Sequence, residues 1–139
     1  MATPVPVLIV DGNPQMTALL QRFLTQHQVD TQTVLSAAEA RVLLAQHAFR
    51  VVVTDRFGPS EEGLALLRDI RQTAPATRVI LMTAFGAPAF HRQALAAGAY
   101  ACLAKPFRLQ EFWEVIQPAL RAVPAPEARK RAGQGRPAQ

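Results

Sequence analysis

Four reactive or polar residues each stand at the end of a short apolar run. Asp11 follows Val7-Leu8-Ile9-Val10, Asp55 comes just after Val51-Val52-Val53, Thr83 follows Val79-Ile80-Leu81-Met82, and Lys105 comes just after Tyr100-Ala101-Cys102-Leu103. A lone Asp or Thr in such a place means little, because both residue types often begin loops. Two carboxylates, a hydroxyl and an ammonium together form a coherent chemical set. Carboxylates supply the hard oxygen donors that Mg²⁺ prefers, and one of them can act as a nucleophile. The hydroxyl and the ammonium suit phosphoryl oxygens. His27, His47 and His91 fall in helical segments without metal-ligand spacing and read as solvated faces.

These residues converge only if the intervening segments place the ends of the runs side by side. Near-continuous apolar runs mark strands buried on both faces, as in a parallel sheet. A weaker, half-polar strand is expected near Val29 to Leu35. Helical periodicity fills the gaps. Met16, Leu19, Leu20, Phe23 and Leu24 follow one apolar stripe, with Pro14 suited to its first turn. Ser36 and Glu39 have capping-box spacing ahead of Ala40, Leu43 and Leu44. Leu64, Leu67 and Ile70 mark a third helix ending before Pro75, and Ala87 to Ala97 a fourth with Gly98 as its stop. Leu109, Phe112, Val115, Ile116 and Leu120 line a fifth, where Pro118 should impose a kink or an end. Five alternating β-α units predict an α/β doubly wound five-stranded parallel sheet in the order 2-1-3-4-5 with five helices. In such sheets ligands bind at the carboxyl ends of the strands, where Asp11, Asp55, Thr83 and Lys105 lie.

Composition agrees with a single domain. The chain has 139 residues, half of them apolar, which suffices for one core but not two. Its single cysteine, Cys102, rules out an internal disulfide framework and a multi-cysteine zinc site, and points to a reducing, cytoplasmic setting. No apolar run approaches the roughly 18 residues of a membrane helix, and the N-terminus lacks a signal-peptide plan because its apolar run ends in Asp11. The formal charge of +5 is unevenly spread. Residues 1–123 carry eleven Lys and Arg against nine Asp and Glu, whereas 124–139 carry Arg129, Lys130, Arg131 and Arg136 against Glu127. The sequence therefore divides into a folded domain, 1–123, and a Pro-, Ala- and Gly-rich basic tail, 124–139, expected to be disordered. The body has no nucleic-acid signature.

The motifs on these elements resemble the receiver domains of two-component response regulators, with a flavodoxin- or CheY-like fold. The matching residues are Val-Leu-Ile-Val-Asp11 followed by Pro14, Asp55 with Pro59 and Gly63, Thr83-Ala84, Gly98-Ala99, and Lys105-Pro106-Phe107, covering about residues 6 to 121. The resemblance implies a phosphorylation switch. Asp55 would take a phosphoryl group from the phosphohistidine of a sensor histidine kinase or a phosphotransfer protein. Asp11, Asp55 and the backbone carbonyl of Phe57 would organise Mg²⁺. Thr83 would swing toward the phosphoryl group, Lys105 would pair with its oxygen, and the small Ala84 would leave it room. Signalling would proceed through contacts with a downstream protein, with a homodimer through the helix 4, strand 5 and helix 5 face as one form, Tyr100 or Trp113 contributing.

The sequence departs from the family pattern at named positions. Gly12 stands where a second acidic residue usually ligates the metal directly, so Mg²⁺ affinity should fall. Asn13 is adjacent but does not match the ligand position. Cys102 replaces the usual Tyr or Phe three residues before the lysine, and it reads as a small buried core residue. Tyr100 lies on the same side of the strand without matching that position. Phe57 and Phe85, two residues after Asp55 and Thr83, should hinder attack by water and slow self-dephosphorylation. The chain does not read as a classical enzyme; at most it would catalyse its own Mg²⁺-dependent phosphorylation from a phosphodonor and its own dephosphorylation. Two further readings follow from the residues: an atypical receiver that never takes phosphate and serves as a binding module, and, more distantly, a phosphohydrolase of the haloacid dehalogenase type with Asp11 as nucleophile. A receiver acting alone and one cut from a longer regulator both fit the sequence.

Overall fold

The computed structural model describes residues 5–84 and 86–121; the basic tail and Phe85 lie outside the described residues. Five strands alternate with five helices: β1 Val7–Val10, α1 Pro14–Gln26, β2 Thr31–Val34, α2 Ala37–Gln46, β3 Val51–Asp55, α3 Glu62–Thr73, β4 Arg78–Ala84, α4 Pro88–Ala96, β5 Ala101–Lys105 and α5 Leu109–Arg121. All strand pairs are parallel and the order is β2-β1-β3-β4-β5, as the alternation predicts.

Both faces of the sheet are covered, which explains the unbroken apolar runs. Leu8, Val10, Val52 and Leu81 pack on one side with Ala40 of α2, Leu67 of α3 and Phe90 of α4. Val7, Ile9, Val53, Ile80 and Met82 pack on the other with Leu20 of α1 and Phe112 of α5. The alternation of strand residues thus distributes one apolar run between two cores. Because every strand runs the same way, the carboxyl ends of β1, β3, β4 and β5 meet along one edge.

Local signals act with two corrections. Ser36 Oγ accepts from the Glu39 N–H at 3.1 Å, but the Glu39 carboxylate reaches past the cap and accepts from Leu35 N–H at 2.8 Å. Pro118 does not end the last helix: α5 continues to Arg121. Buried Ile116 and Ala119 flank the proline, and their packing offsets the lost backbone bond.

Candidate phosphoryl and metal site

Asp11 is the first residue beyond β1 and only 2% exposed. Its Oδ1 accepts from the Asn13 N–H at 2.8 Å. Asn13 in turn is the N-cap of α1, its Oδ1 accepting from Gln15 N–H at 2.9 Å. Pro14 at the first helical position needs no donor partner. The turn that starts α1 therefore also aims the Asp11 carboxylate. Because the Asn13 side chain is occupied in capping and is an amide, it offers no acid or base beside Asp11, which argues against the phosphohydrolase reading.

Asp55 closes β3, with its carboxylate Oδ2 accepting from Phe57 N–H at 2.9 Å. Phe57 adopts a left-handed conformation, φ +65°, and leads into a single 3-10 turn at Gly58–Ser60. The Phe57 carbonyl accepts from Ser60 Oγ at 3.0 Å. Glu61, also left-handed at φ +54°, then opens α3. Gly63 is required by close approach: a Cβ there would collide with the Asp55 carbonyl oxygen and lie 2.9 Å from the Arg56 Cα. Its N–H also donates to the Arg56 carbonyl at 3.0 Å. Gly63 therefore positions Asp55 through the backbone, a role its place in the motif does not disclose.

Lys105, the last residue of β5, joins the two carboxylates. Its Nζ donates to Asp11 Oδ2 at 2.7 Å and to Asp55 Oδ1 at 2.8 Å. Partial burial alone would lower the lysine pKa, yet the hydrogen bonds and charges of Asp11 and Asp55 outweigh it and hold the ammonium above its ordinary value of 10.5. Thr83 is 3% exposed, on β4 between β3 and β5, one residue beyond Met82, the register partner of Asp55. Among the described residues its Oγ1 is buried without a hydrogen-bond partner. A buried hydroxyl without a partner costs free energy. The four residues singled out at the sequence level are thus assembled at the carboxyl edge of the sheet.

Whether these groups suit Mg²⁺ can be judged from the donors. Asp11, Asp55 and the Phe57 carbonyl are hard oxygen ligands, and Mg²⁺ retains several waters, so the set fits in kind. It falls short in charge: two carboxylates are half neutralised by one ammonium. Among the described residues no three His, Cys, Asp or Glu side chains converge. At Gly12 a Cβ would meet nothing closer than Phe57 Cε1 at 3.7 Å and Leu35 O at 3.8 Å. The ring of Phe57 thus lies beside the place from which an acidic side chain would project.

The surroundings correct several expectations. Cys102 is only partly buried, against the α2–α3–α4 side, and burial raises its thiol pKa, which disfavours the reactive thiolate. Tyr100 precedes β5 and faces Arg78, whose guanidinium lies 5.1 Å from the ring centroid. It sits at the opposite end of the strand from Lys105 and does not replace the aromatic missing at position 102. His27 is not simply solvated: its ring stacks on Trp113 at 3.9 Å and 19°, with Phe23 4.8 Å away. Trp113 is therefore turned toward α1. The residue missed altogether at the sequence level is Arg56. Its guanidinium pairs with Glu61 Oε2 at 2.9 Å and lies 4.1 Å from the centroid of Phe90 on α4. No spacing rule links positions 56, 61 and 90; only the tertiary fold does.

This geometry can be set beside known proteins. Residues 7–117 match the model of the response regulator receiver domain. The response regulator protein PilR of Pseudomonas aeruginosa is 40% identical over 114 residues, covering 82% of this chain and 26% of PilR. Protein PetR of Rhodobacter capsulatus is 40% identical over 123 residues, covering 88% of this chain and 52% of PetR. The chain thus spans about a quarter to a half of the length of these relatives. Among solved structures, the receiver domain of NtrX from Brucella abortus superposes with a TM-score of 0.78 at 28% identity, covering 84% of this chain and 99% of that one. The beryllofluoride-activated NtrC4 receiver domain dimer gives 0.77 at 29%, covering 83% and 95%. With the sheet order, the paired carboxylates and the bridging lysine agreeing with this match, the chain belongs to the response regulator receiver domain family of two-component signalling.

Proposed function

We propose that Asp55 is the phosphoryl acceptor of a signalling switch whose donor is a histidine kinase or a histidine phosphotransfer protein. The observation that carries this reading is the ammonium of Lys105 bound to both Asp11 and Asp55, on a strand beside a buried Thr83 hydroxyl that lacks a partner. In the transfer, an Asp55 carboxylate oxygen attacks phosphorus. The new O–P bond forms as the donor's N–P bond breaks, and the electron pair departs on the imidazole nitrogen, which takes up a proton. The incoming group brings negative oxygens to the end of β3. Lys105 is within reach as their counter-ion, and Thr83 supplies a donor that the resting site leaves unspent.

Receiver domains generally bind Mg²⁺, and here Asp11, Asp55 and the Phe57 carbonyl would hold it. When bound, it neutralises phosphoryl charge. With Gly12 at the usual acidic position, binding is weaker and more dependent on water. Phosphorylation alters contacts with a downstream protein target; self-association of the kind named for NtrC4 is one form this takes. Those contacts serve a protein acting inside the cytoplasm, consistent with the observation that, among the described residues, no helix is long and apolar enough to cross a membrane.

The test is an intact-mass measurement with acetyl phosphate or phosphoramidate across a Mg²⁺ titration. One phosphoryl group should be gained in a metal-dependent manner and lost in Asp55→Ala. A folded protein that gains none at high Mg²⁺ would refute this reading and leave a phosphate-independent binding module. Addition that survives Asp55→Ala and disappears in Asp11→Ala would instead place the nucleophile on Asp11.

A further inference from the structure

Arg56 occupies the position directly after the acceptor, and its contacts lead away from the site toward α4. Its backbone is hydrogen-bonded on both sides: the N–H donates to Met82 O at 3.0 Å and the carbonyl accepts from Gly63 N–H at 3.0 Å. The side chain then spans to two other elements. The Glu61 carboxylate takes one guanidinium nitrogen at 2.9 Å, and the ring of Phe90 lies under the guanidinium at 4.1 Å. Phe90 is 4% exposed and sits in the first turn of α4.

Three features set this contact apart from an ordinary surface ion pair. Glu61 holds a left-handed backbone and, although it is the N-cap of α3, makes no side-chain capping bond; its carboxylate is given to Arg56 instead. The N-cap of α4 is Ala87, which also has no capping side chain, so the start of α4 is not anchored locally. Finally, Arg56 Nε is buried without a partner among the described residues. The guanidinium is thus held below its full hydrogen-bonding capacity, and a small shift of the β3–α3 loop that gives Nε an acceptor is favourable.

We propose that Arg56 is the positioning residue that couples the state of the Asp55 loop to the N-terminal turn of α4. It does so through a guanidinium clamped between Glu61 and Phe90. The proposal rests on Asp55 accepting a phosphoryl group. It also supplies a route to α4 in a chain whose position 102 carries no ring. A rearrangement of the loop when Asp55 is modified moves Arg56 directly, since the two are adjacent, and Phe90 follows because its buried ring is held against the guanidinium at 4.1 Å.

The experiment uses the full chain with acetyl phosphate and Mg²⁺. Intact mass reads phosphorylation, and hydrogen exchange reads the amides of the first turn of α4, with and without phosphodonor. In the wild type, modification should change exchange in that turn by roughly threefold or more, a little over 0.6 kcal/mol in local opening. Arg56→Ala should be modified to the same extent while the α4 response is lost. Arg56→Lys, which keeps the charge and the cation–π contact, should restore part of it. Glu61→Gln removes the carboxylate without truncating the arginine, should weaken the response, and serves if Arg56→Ala fails to fold. An undiminished α4 response in modified Arg56→Ala, or in modified Glu61→Gln where the alanine variant does not fold, would overturn the proposal. So would a wild type that is modified without any change in α4. A wild type that gains no phosphoryl mass would overturn the underlying reading and this proposal with it, and the mass spectrum distinguishes that failure from the others.

Discussion

If Asp11, Asp55 and the Phe57 carbonyl hold Mg²⁺ as proposed, replacing Gly12 with aspartate should add a third carboxylate to the site. The backbone at Gly12 is not in the left-handed region, and the new Cβ would make only ordinary contacts, 3.7 Å to Phe57 Cε1 and 3.8 Å to Leu35 O. No steric penalty therefore opposes the change, and Gly12 is exposed, so the new charge stays hydrated until a cation arrives. A carboxylate about 4 Å from a divalent cation attracts it by roughly 2 kcal/mol at the dielectric of water, and by several times more at lower effective values. Exposure selects the smaller figure, which corresponds to a roughly 30-fold gain in Mg²⁺ affinity. Without metal the same substitution crowds a third carboxylate beside Asp11 and Asp55 with only the Lys105 ammonium to balance them, at a cost of about 1 kcal/mol. Two readouts follow. The Mg²⁺ midpoint for phosphorylation by phosphoramidate, read by intact mass, should fall by an order of magnitude or more. The rise in Tm on adding Mg²⁺ should be larger in the variant than in the wild type, because binding stabilises by mass action. A midpoint unchanged within twofold in a folded Gly12→Asp protein would refute the argument that position 12 is where the metal site is deficient.

Other substitutions probe the remaining contacts. Lys105→Met leaves Asp11, 2% exposed, and Asp55 without their counter-ion, and should destabilise the fold by about 2 kcal/mol in urea titrations while sharply reducing phosphorylation. Because folding raises the Lys105 pKa, its stabilising contribution is complete below the unfolded value near 10.5 and is lost as pH rises through the higher folded value. The wild type should therefore show a loss of stability above pH 10.5 that Lys105→Met lacks. Gly63→Ala drives a methyl into the Asp55 carbonyl and should cost about 3 kcal/mol in the same titrations, with a parallel loss of phosphoryl acceptance. Phe57→Asn opens the approach to Asp55, so the phosphorylated form, followed by mass after removal of donor, should decay several-fold faster; a wild-type half-life of only seconds would refute a shielding role for the ring.

How much of this was legible depends on the range of the interaction. The strand order, the covered faces and the meeting of Asp11, Asp55, Thr83 and Lys105 follow from apolar runs, parallel crossovers and polar residues at strand ends. Ser36 capping and the stop at Gly98, with φ +106°, are equally local and were readable. The effect of Pro118 is not legible locally, because the burial of Ile116 and Ala119 on either side of it outweighs the propensity of a single residue. The necessity of Gly63 was hidden because it arises from the Asp55 backbone eight positions away. Arg56 carries no signal in the sequence, since its partners Glu61 and Phe90 share no periodicity with it. His27 looked solvated for the same reason, its partner Trp113 lying on another helix.

The residues that flank the ion triad separate in space into two sets, and this separation is informative. Gly12 and Phe57 adjoin each other on the side of Asp55 proposed to hold the metal, where a residue without a side chain stands beside a ring. Cys102 and Arg56 relate to the other side, toward Thr83 and α4, where a ring is absent and a guanidinium bridge is present. Between them Asp11, Asp55 and Lys105 keep their mutual bonds at 2.7 and 2.8 Å. Alteration confined to the metal side would tune how readily the site is charged with phosphate and leave the readout intact; alteration confined to the α4 side would do the reverse. Both sets flank the same ion triad. If Asp55 accepts phosphate and Arg56 couples to α4 as proposed, loading and readout should be independently adjustable. Gly12→Asp should shift the metal midpoint without altering the α4 response per phosphoryl group, and Arg56→Ala should do the opposite. Additivity of the two in the double variant would confirm that they act on separate steps, since groups that share no contact and no network contribute independently. A double variant whose metal midpoint depends on residue 56 would show instead that the clamp reaches into the metal site.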